Sequence, residues 1–338
     1  MTLYLHGLGH FHPENEITNR FLESLDIGTS DQWIMERVGI RSRRTVLPLD
    51  YISATRNKDP REGAEIGLYD NAQLGARAAR LAVERAGIEL ADIGMVIGGG
   101  SVPFTSSPVE AANIACALEI EVPVLDVNSA CTSFFAGLHL LSMMQPDALP
   151  EYVLLVAPDA MTRSVDYSDR SSAVLWGDAA AAAVVSTRVP GPVEILSTVL
   201  ESSPAGRDKV VVPRFGHFDQ EGRTVQMFAI KKTSSMLRRL IAEHADDAVT
   251  LHFVGHQANL RMLEGVCRRC EIPPERHHFN VDWYGNTGAA SAASVVSMRW
   301  GKWRAGDEVA VVGVGSGLTW SSFLMRFADA PAEKPQCS

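Results

Sequence analysis

The sequence predicts an α/β fold made of two similar halves, and three observations predict it. Short runs of β-branched and small apolar residues recur at Ile93–Gly98, Tyr152–Pro158 and Glu308–Val314, the signature of strands buried on both faces. Patterns of helical period separate them. The order of strands and helices after the Pro190-Gly191-Pro192 seam echoes the order before it.

The elements follow in order. Leu3–Gly9 reads as a strand, leading into a polar loop with His10, His12 and Glu14. Thr29 or Ser30 can cap a short helix carrying Trp33, Ile34 and Val38, which Gly39 ends. Tyr51–Tyr69 is charged and without sustained period, and reads as a loop or lid. Asp70 caps a helix whose face is Leu74, Ala78, Leu81 and Ala82, closed by Gly87. After the Ile93 strand, Ser107-Pro108 starts another helix with proline in its first turn. Val124–Val127 is a strand and Cys131–Met144 a helix that is apolar nearly all round, so it belongs inside the domain. The Tyr152 strand and a strand around Ala180–Ser186 complete the first half. The second half reads as a strand at Val193–Leu200, a loose stretch Ser203–Gly222, and a helix over Val225–His244. Then come a strand Leu251–Val254, helices over Ala258–Cys270 and Asn286–Trp300, and strands Glu308–Val314 and Leu318–Phe327. Residues 1–189 and 190–327 are thus expected as the two halves, with 328–338 a disordered tail.

Composition bounds the function. The chain has 338 residues, 46% of them hydrophobic and 21% charged, which is ordinary for a globular protein. A net charge of −9 argues against general binding of nucleic acid or membrane surface. Five cysteines without paired spacing, and no signal peptide, suggest a cytoplasmic protein. His6, His10 and His12 lack the helical spacing or acidic partner of a metal site, and Cys267–Cys270 is a single CxxC on a helix, so no metal is expected. The glycines of GVGSG (residues 313–317) precede a strand, whereas a dinucleotide fingerprint must open a helix.

Chemistry concentrates at three corners: SACTSF (129–134), GHQANLRM (255–262) and YGNTGAAS (284–291). Cys131 stands where a strand meets a helix N-terminus, whose unpaired N–H groups and dipole favour thiolate. His256 follows a strand and Asn286 begins a run of small residues. Spacing alone does not bring the three together.

These segments, with TSDQWIMERVGIRSR and GVGSGLTWSSFLMRF, resemble the β-ketoacyl-acyl-carrier-protein synthase III family over Leu3 to Phe327. The resemblance implies a thiolase-like fold, two pseudo-duplicated α/β halves in five layers, usually as a homodimer. It implies that acyl-coenzyme A acylates Cys131 and that malonyl-acyl carrier protein then condenses with loss of carbon dioxide. His256 and Asn286 would hold the enolate oxygen, and the backbone N–H groups of Cys131 and Ser316 the acyl oxygen. Trp33, Arg37 and Arg163 match the coenzyme A mouth, and Arg261, Arg268 and Arg269 a patch for docking acidic acyl carrier protein. No cofactor is bound permanently. Ser107 and Phe134 are the expected acyl-pocket residues. Ser107 stands where many members carry an aromatic residue, which implies room for chains longer than acetyl, and Ser316 replaces the usual glycine. The competing reading is an acyltransferase that moves an acyl group to an amine or alcohol without condensation; retention of Asn286 favours condensation.

Overall fold

The computed structural model describes residues 2–214, 216–244 and 250–328. The first half runs β1 (Leu3–Phe11), β2 (Asn15–Thr18), α1 (Asn19–Ser24), α2 (Asp31–Arg37), β3 (Ser42–Thr45), α3 (Leu49–Thr55), α4 (Pro60–Ile66), α5 (Asn71–Ala86), β4 (Ile93–Gly98), α6 (Glu110–Leu118), β5 (Val124–Asp126), α7 (Ser133–Met143), β6 (Tyr152–Ala160), α8 (Arg170–Ala173) and β7 (Asp178–Ser186). The second runs β8 (Val193–Ser202), β9 (Val210–Val211), β10 (Asp219–Gln220), α9 (Gly222–His244), β11 (Leu251–Gly255), α10 (Leu260–Cys270), β12 (His277–His278), α11 (Val281–Tyr284), α12 (Ser291–Met298), β13 (Glu308–Gly315) and β14 (Thr319–Phe327).

Read outward from the centre, one half has strand order β1-β7-β6-β4-β5 and the other β8-β14-β13-β11-β12. Directions match as well: β6 and β4 pair in parallel like β13 and β11, and β7 and β14 are antiparallel to both neighbours. The halves join through β1 and β8, where Leu3 faces Ile195. This is the order a duplicated chain produces, and we propose the seam between β7 and β8 as its junction.

Three apolar layers follow from strand alternation. On β6, Leu154 and Val156 face α5 and α6, whereas Val153, Leu155 and Ala157 face the centre. On β13, Val309 and Val311 face the centre, while Ala310, Val312 and Val314 face α9 and α10. Helices α7 and α12 lie in the central layer and touch strands of both halves, which gives the five-layered α/β/α/β/α thiolase-like arrangement. Such double-sided burial is why these strands read as continuous apolar runs.

Several expectations change. The stretch Tyr51–Tyr69 is not a loop but holds α3 and α4. Each is only seven residues, too short to display a period, and Asp59 caps α4 with Pro60 in its first turn. The stretch is packed down: Tyr51 and Ile52 are buried, and the buried Asn57 amide donates to the carbonyls of Arg163 and Val165, each at 2.9 Å. Helix α6 starts at Glu110, two residues beyond the expected proline start, because Asp126 caps it from β5, accepting the N–H groups of Glu110 and Ala111. Helix α7 is not apolar towards protein all round: Leu140 and Met143 are exposed. The expected tail beyond Ala328 lies outside the described residues.

Candidate active site

Cys131 sits in a 3-10 turn, Ala130–Thr132, between β5 and α7. Ala130 takes φ +49°, a region that costs a non-glycine residue about 1–2 kcal/mol. Hydroxyls hold the corner: Ser133 Oγ donates to Ala130 O at 2.7 Å and accepts the Ser129 N–H at 2.9 Å. The end of β13 lies against it. A Cβ on Gly315 would stand 3.3 Å from the backbone nitrogens of both Cys131 and Thr132, so glycine permits the approach. The backbone N–H groups of Cys131 and Ser316 lie near enough to the sulfur to pull its thiol down. Ser316 carries no left-handed strain, since Gly317 takes the positive φ of this loop, and its hydroxyl donates to Val210 O at 2.5 Å.

The thiolate expected from the helix terminus is not the resting form. Burial and then the nearby Asp159 carboxylate push the Cys131 thiol up to about 12, outweighing the backbone N–H groups of Cys131 and Ser316. The turn sets Cys131 before α7 rather than in its first turn, and the residue is only 7% exposed, so desolvation outweighs the dipole.

His256 leaves the end of β11 with its N–H donating to Val312 O at 2.8 Å. Its Nδ1 is 2.7 Å from Ser291 Oγ, and that oxygen also accepts a long bond from the Gln257 N–H at 3.4 Å. With the serine hydroxyl donating to Nδ1, Nε2 is the N–H donor of the ring. Burial lowers the imidazole to about 4, so it is neutral at pH 7. Asn286 does not begin a helix. It forms an isolated bridge with Trp176, its N–H donating to Leu175 O at 2.8 Å and its carbonyl accepting the Gly177 N–H at 3.0 Å. Its Oδ1 accepts the Gly288 N–H at 3.1 Å, which turns Nδ2 outward as the free donor.

Cys131, His256, Asn286 and Ser316 line one cleft of about 320 Å³, whose walls also include Trp33 and Arg37. Two neutral N–H donors and two backbone N–H groups thus border one sulfur-bearing space, an arrangement able to stabilise developing negative charge on oxygen.

Other expected residues stand elsewhere. Arg163 is buried, donates to Asn71 Oδ1 at 2.9 Å and lies over Phe104, so it is not at the mouth. Arg170 lies beside Trp33 instead, its guanidinium 5.0 Å from the ring centre while that of Arg37 is 5.7 Å away. No local signal separates the two arginines, which share one loop. Arg261 is engaged rather than free: it donates to Met35 O and pairs with Glu264 at 3.1 Å. Arg268 and Arg269 are exposed in the last turn of α10, and Arg238 donates to Arg269 O. Within this chain Ser107 is exposed and lines no part of the cleft. Phe134 packs near Phe323 beside a separate small cavity in the central layer. It misses the cleft because α7 turns that face towards β14. His6 bonds Val189 O and His10 bonds Ser297 Oγ.

Comparison with known proteins agrees with this arrangement. Residues 125–204 match the model of 3-oxoacyl-[acyl-carrier-protein (ACP)] synthase III, and residues 246–327 match that of its C-terminal part. The chain is similar to the β-ketoacyl-[acyl-carrier-protein] synthase III of Roseiflexus sp. (strain RS-1), 32% identical over 95% of this chain and 97% of that protein. It is likewise 32% identical to the enzyme of that name from Allorhizobium ampelinum, over 95% and 98%. Among solved structures, the 3-oxoacyl-(acyl carrier protein) synthase III of Pseudomonas aeruginosa PAO1 superposes with a TM-score of 0.84 at 29% identity, covering 99% of this chain and all of that one. The priming β-ketosynthase of the R1128 polyketide pathway does so with 0.79 at 27%, over 97% of each. Fold and site define a thiolase-like condensing transferase. The chain belongs to the 3-oxoacyl-[acyl-carrier-protein] synthase III family.

Proposed function

We propose that the protein catalyses decarboxylative Claisen condensation between an acyl group, taken from acyl-coenzyme A, and malonyl-acyl carrier protein, yielding a 3-oxoacyl thioester. The observation that carries this reading is the shared cleft of Cys131, His256 and Asn286. Cys131 attacks the thioester carbonyl while the N–H groups of Cys131 and Ser316 hold its oxygen. Coenzyme A leaves and the acyl group stays on sulfur. The malonyl carboxylate then departs as carbon dioxide, and negative charge builds on the malonyl thioester oxygen. His256 Nε2 and Asn286 Nδ2 donate to that oxygen, and the carbanion attacks the acyl-enzyme.

Trp33, Arg37 and Arg170 would hold the adenine by stacking and charge. Arg268 and Arg269, with Arg238 beside them, offer the docking surface for an acidic carrier protein. No permanent cofactor takes part. Exposed Phe104, Val109 and Leu125 near the β5 edge support a homodimer. Among the described residues four cysteines are free, which suits a cytoplasmic setting, and no helix is long and apolar enough to cross a membrane.

The test is intact mass after incubation with a panel of acyl-coenzyme A thioesters, followed by malonyl-acyl carrier protein with labelled carboxylate. The reading expects acyl mass on Cys131, release of labelled carbon dioxide and a 3-oxoacyl product; Cys131→Ala should lose the acyl mass and the product. Acyl transfer to an amine or alcohol without carbon dioxide would overturn it.

A further inference from the structure

Cys131 has no free base beside it. His256 carries a proton on Nε2 and its Nδ1 is taken by Ser291, yet the thiol must lose its proton as it attacks. Ser101 Oγ lies 3.5 Å from Cys131 Sγ and 2.8 Å from Asp159 Oδ2. A hydroxyl has one proton, and the shorter bond to the carboxylate takes it, so the oxygen's lone pair faces the thiol. The carboxylate is fully buried on β6. Its Oδ1 accepts the N–H groups of Ser101 and Val102 at 2.6 and 3.1 Å, and its Oδ2 that of Ala289 at 2.6 Å. Any side chain at residue 288 would collide with it, and that position is glycine with φ +56°.

We propose that Ser101 and Asp159 form a relay that takes the Cys131 proton during acylation. The S–H proton moves to Ser101 Oγ as the serine proton passes to Asp159 Oδ2. The freed sulfur pair forms the new C–S bond. Coenzyme A leaves with its C–S pair and takes a proton from solvent. When condensation later expels Cys131 as thiolate, the same hydroxyl returns the Asp159 proton, and the cycle closes.

Two features support this use. The other donors to Asp159 are backbone N–H groups, which orient it and do not give up protons at neutral pH. Burial raises the carboxyl to about 6, so it accepts a proton near neutrality more readily than an ordinary carboxylate. Asp159 acts electrostatically on Cys131 and on Arg163, on the turn after β6; that guanidinium also faces Asp178 on β7, Glu110 on α6 and Asp70 before α5.

The relay rests on Cys131 being the acylated nucleophile, and the experiment separates the two. Single-turnover acylation by an acyl-coenzyme A that loads the wild type is read by intact mass from pH 5 to 9, in wild type, Ser101→Ala, Ser101→Thr and Asp159→Asn. The wild-type rate should rise through about pH 6 and level off. Ser101→Ala keeps all three backbone bonds to Asp159, so it folds. It should lose about 10²-fold at pH 7 and climb with pH without levelling. Ser101→Thr, which restores a hydroxyl, should recover most of that loss. Asp159→Asn should resemble Ser101→Ala. If Asp159 only raises the thiol by its charge, Asp159→Asn acylates faster than wild type at pH 7, and the relay is overturned. A wild-type rate and profile in Ser101→Ala overturns it equally. Absence of acyl mass on wild-type Cys131 with every thioester instead defeats the proposed function.

Discussion

The imidazole of His256 shares a 2.7 Å hydrogen bond with the hydroxyl of Ser291, five residues beyond Asn286. One short segment, 286–291, therefore aims both side-chain donors. It supplies Asn286 itself, the Gly288 N–H that turns its amide, and the serine that fixes the imidazole tautomer.

Ser291→Ala should release that tautomer. With Nδ1 free to carry the proton, part of the population presents a lone pair to the enolate oxygen. Decarboxylation should fall about tenfold or more, while acylation of Cys131 changes little. Removing a donor outright, in His256→Ala or Asn286→Ala, should cost about 10²–10³-fold. Separate assays of acyl loading and carbon dioxide release check both.

Arg170 and Arg163 should separate affinity from stability. Arg170→Ala removes a guanidinium from the Trp33 ring and should raise KM for acyl-coenzyme A by about three- to tenfold with kcat largely kept. Arg163→Leu leaves the buried Asn71 Oδ1 without its guanidinium donor, and should destabilise the fold by about 1–3 kcal/mol. Steady-state kinetics and denaturant melts tell the two outcomes apart.

Gly315→Ala should move the backbone at Cys131, because the added methyl meets two main-chain nitrogens at 3.3 Å. Acylation should slow by about tenfold or more, since the N–H groups that hold the acyl oxygen shift with it. Ser316→Gly keeps its N–H and loses the hydroxyl bond to Val210, so its acylation rate should stay within a few-fold of wild type. Single-turnover loading measures both.

Stability should fall on acidification. Burial lowers His10, His256 and His277 to about 4, His278 to about 3, and His12 well below its usual value. In the unfolded chain these rings take up protons near pH 6.5. Their contribution is thus complete above that pH and is lost as pH falls from 6.5 towards 4. Asp159 and Asp178, raised by burial to about 6, act oppositely: protonation in the folded state adds stability as pH drops from 6 towards 3.8. Five histidines outweigh two carboxylates, so Tm should be lower at pH 5 than at pH 7. A flat or rising Tm in scanning calorimetry would refute buried neutral histidines.

Much of this protein was legible in its sequence. Strands β4, β6 and β13 declared themselves because both faces are buried, so composition alone marks them. The cap at Asp70 and the closing Gly87 announced α5 through local chemistry. Cys131, His256 and Asn286 stood out as polar residues at corners, and the resemblance joined them. By contrast α3 and α4 were hidden, because two-turn helices owe their stability to what they pack on rather than to pattern. Which arginine meets Trp33 was equally invisible: Arg163 and Arg170 share one loop, and only the turn after β6 sends one inward and the other out. The ionisation of Cys131 and the roles of Ser101 and Asp159 also belong to the tertiary structure. Desolvation depends on what surrounds a group, and those neighbours come from β6, the loop after β4 and the segment before α12, up to 188 residues apart (289 − 101). Sequence determined the elements and the reactive residue types; packing decided their protonation, their orientation and their partners.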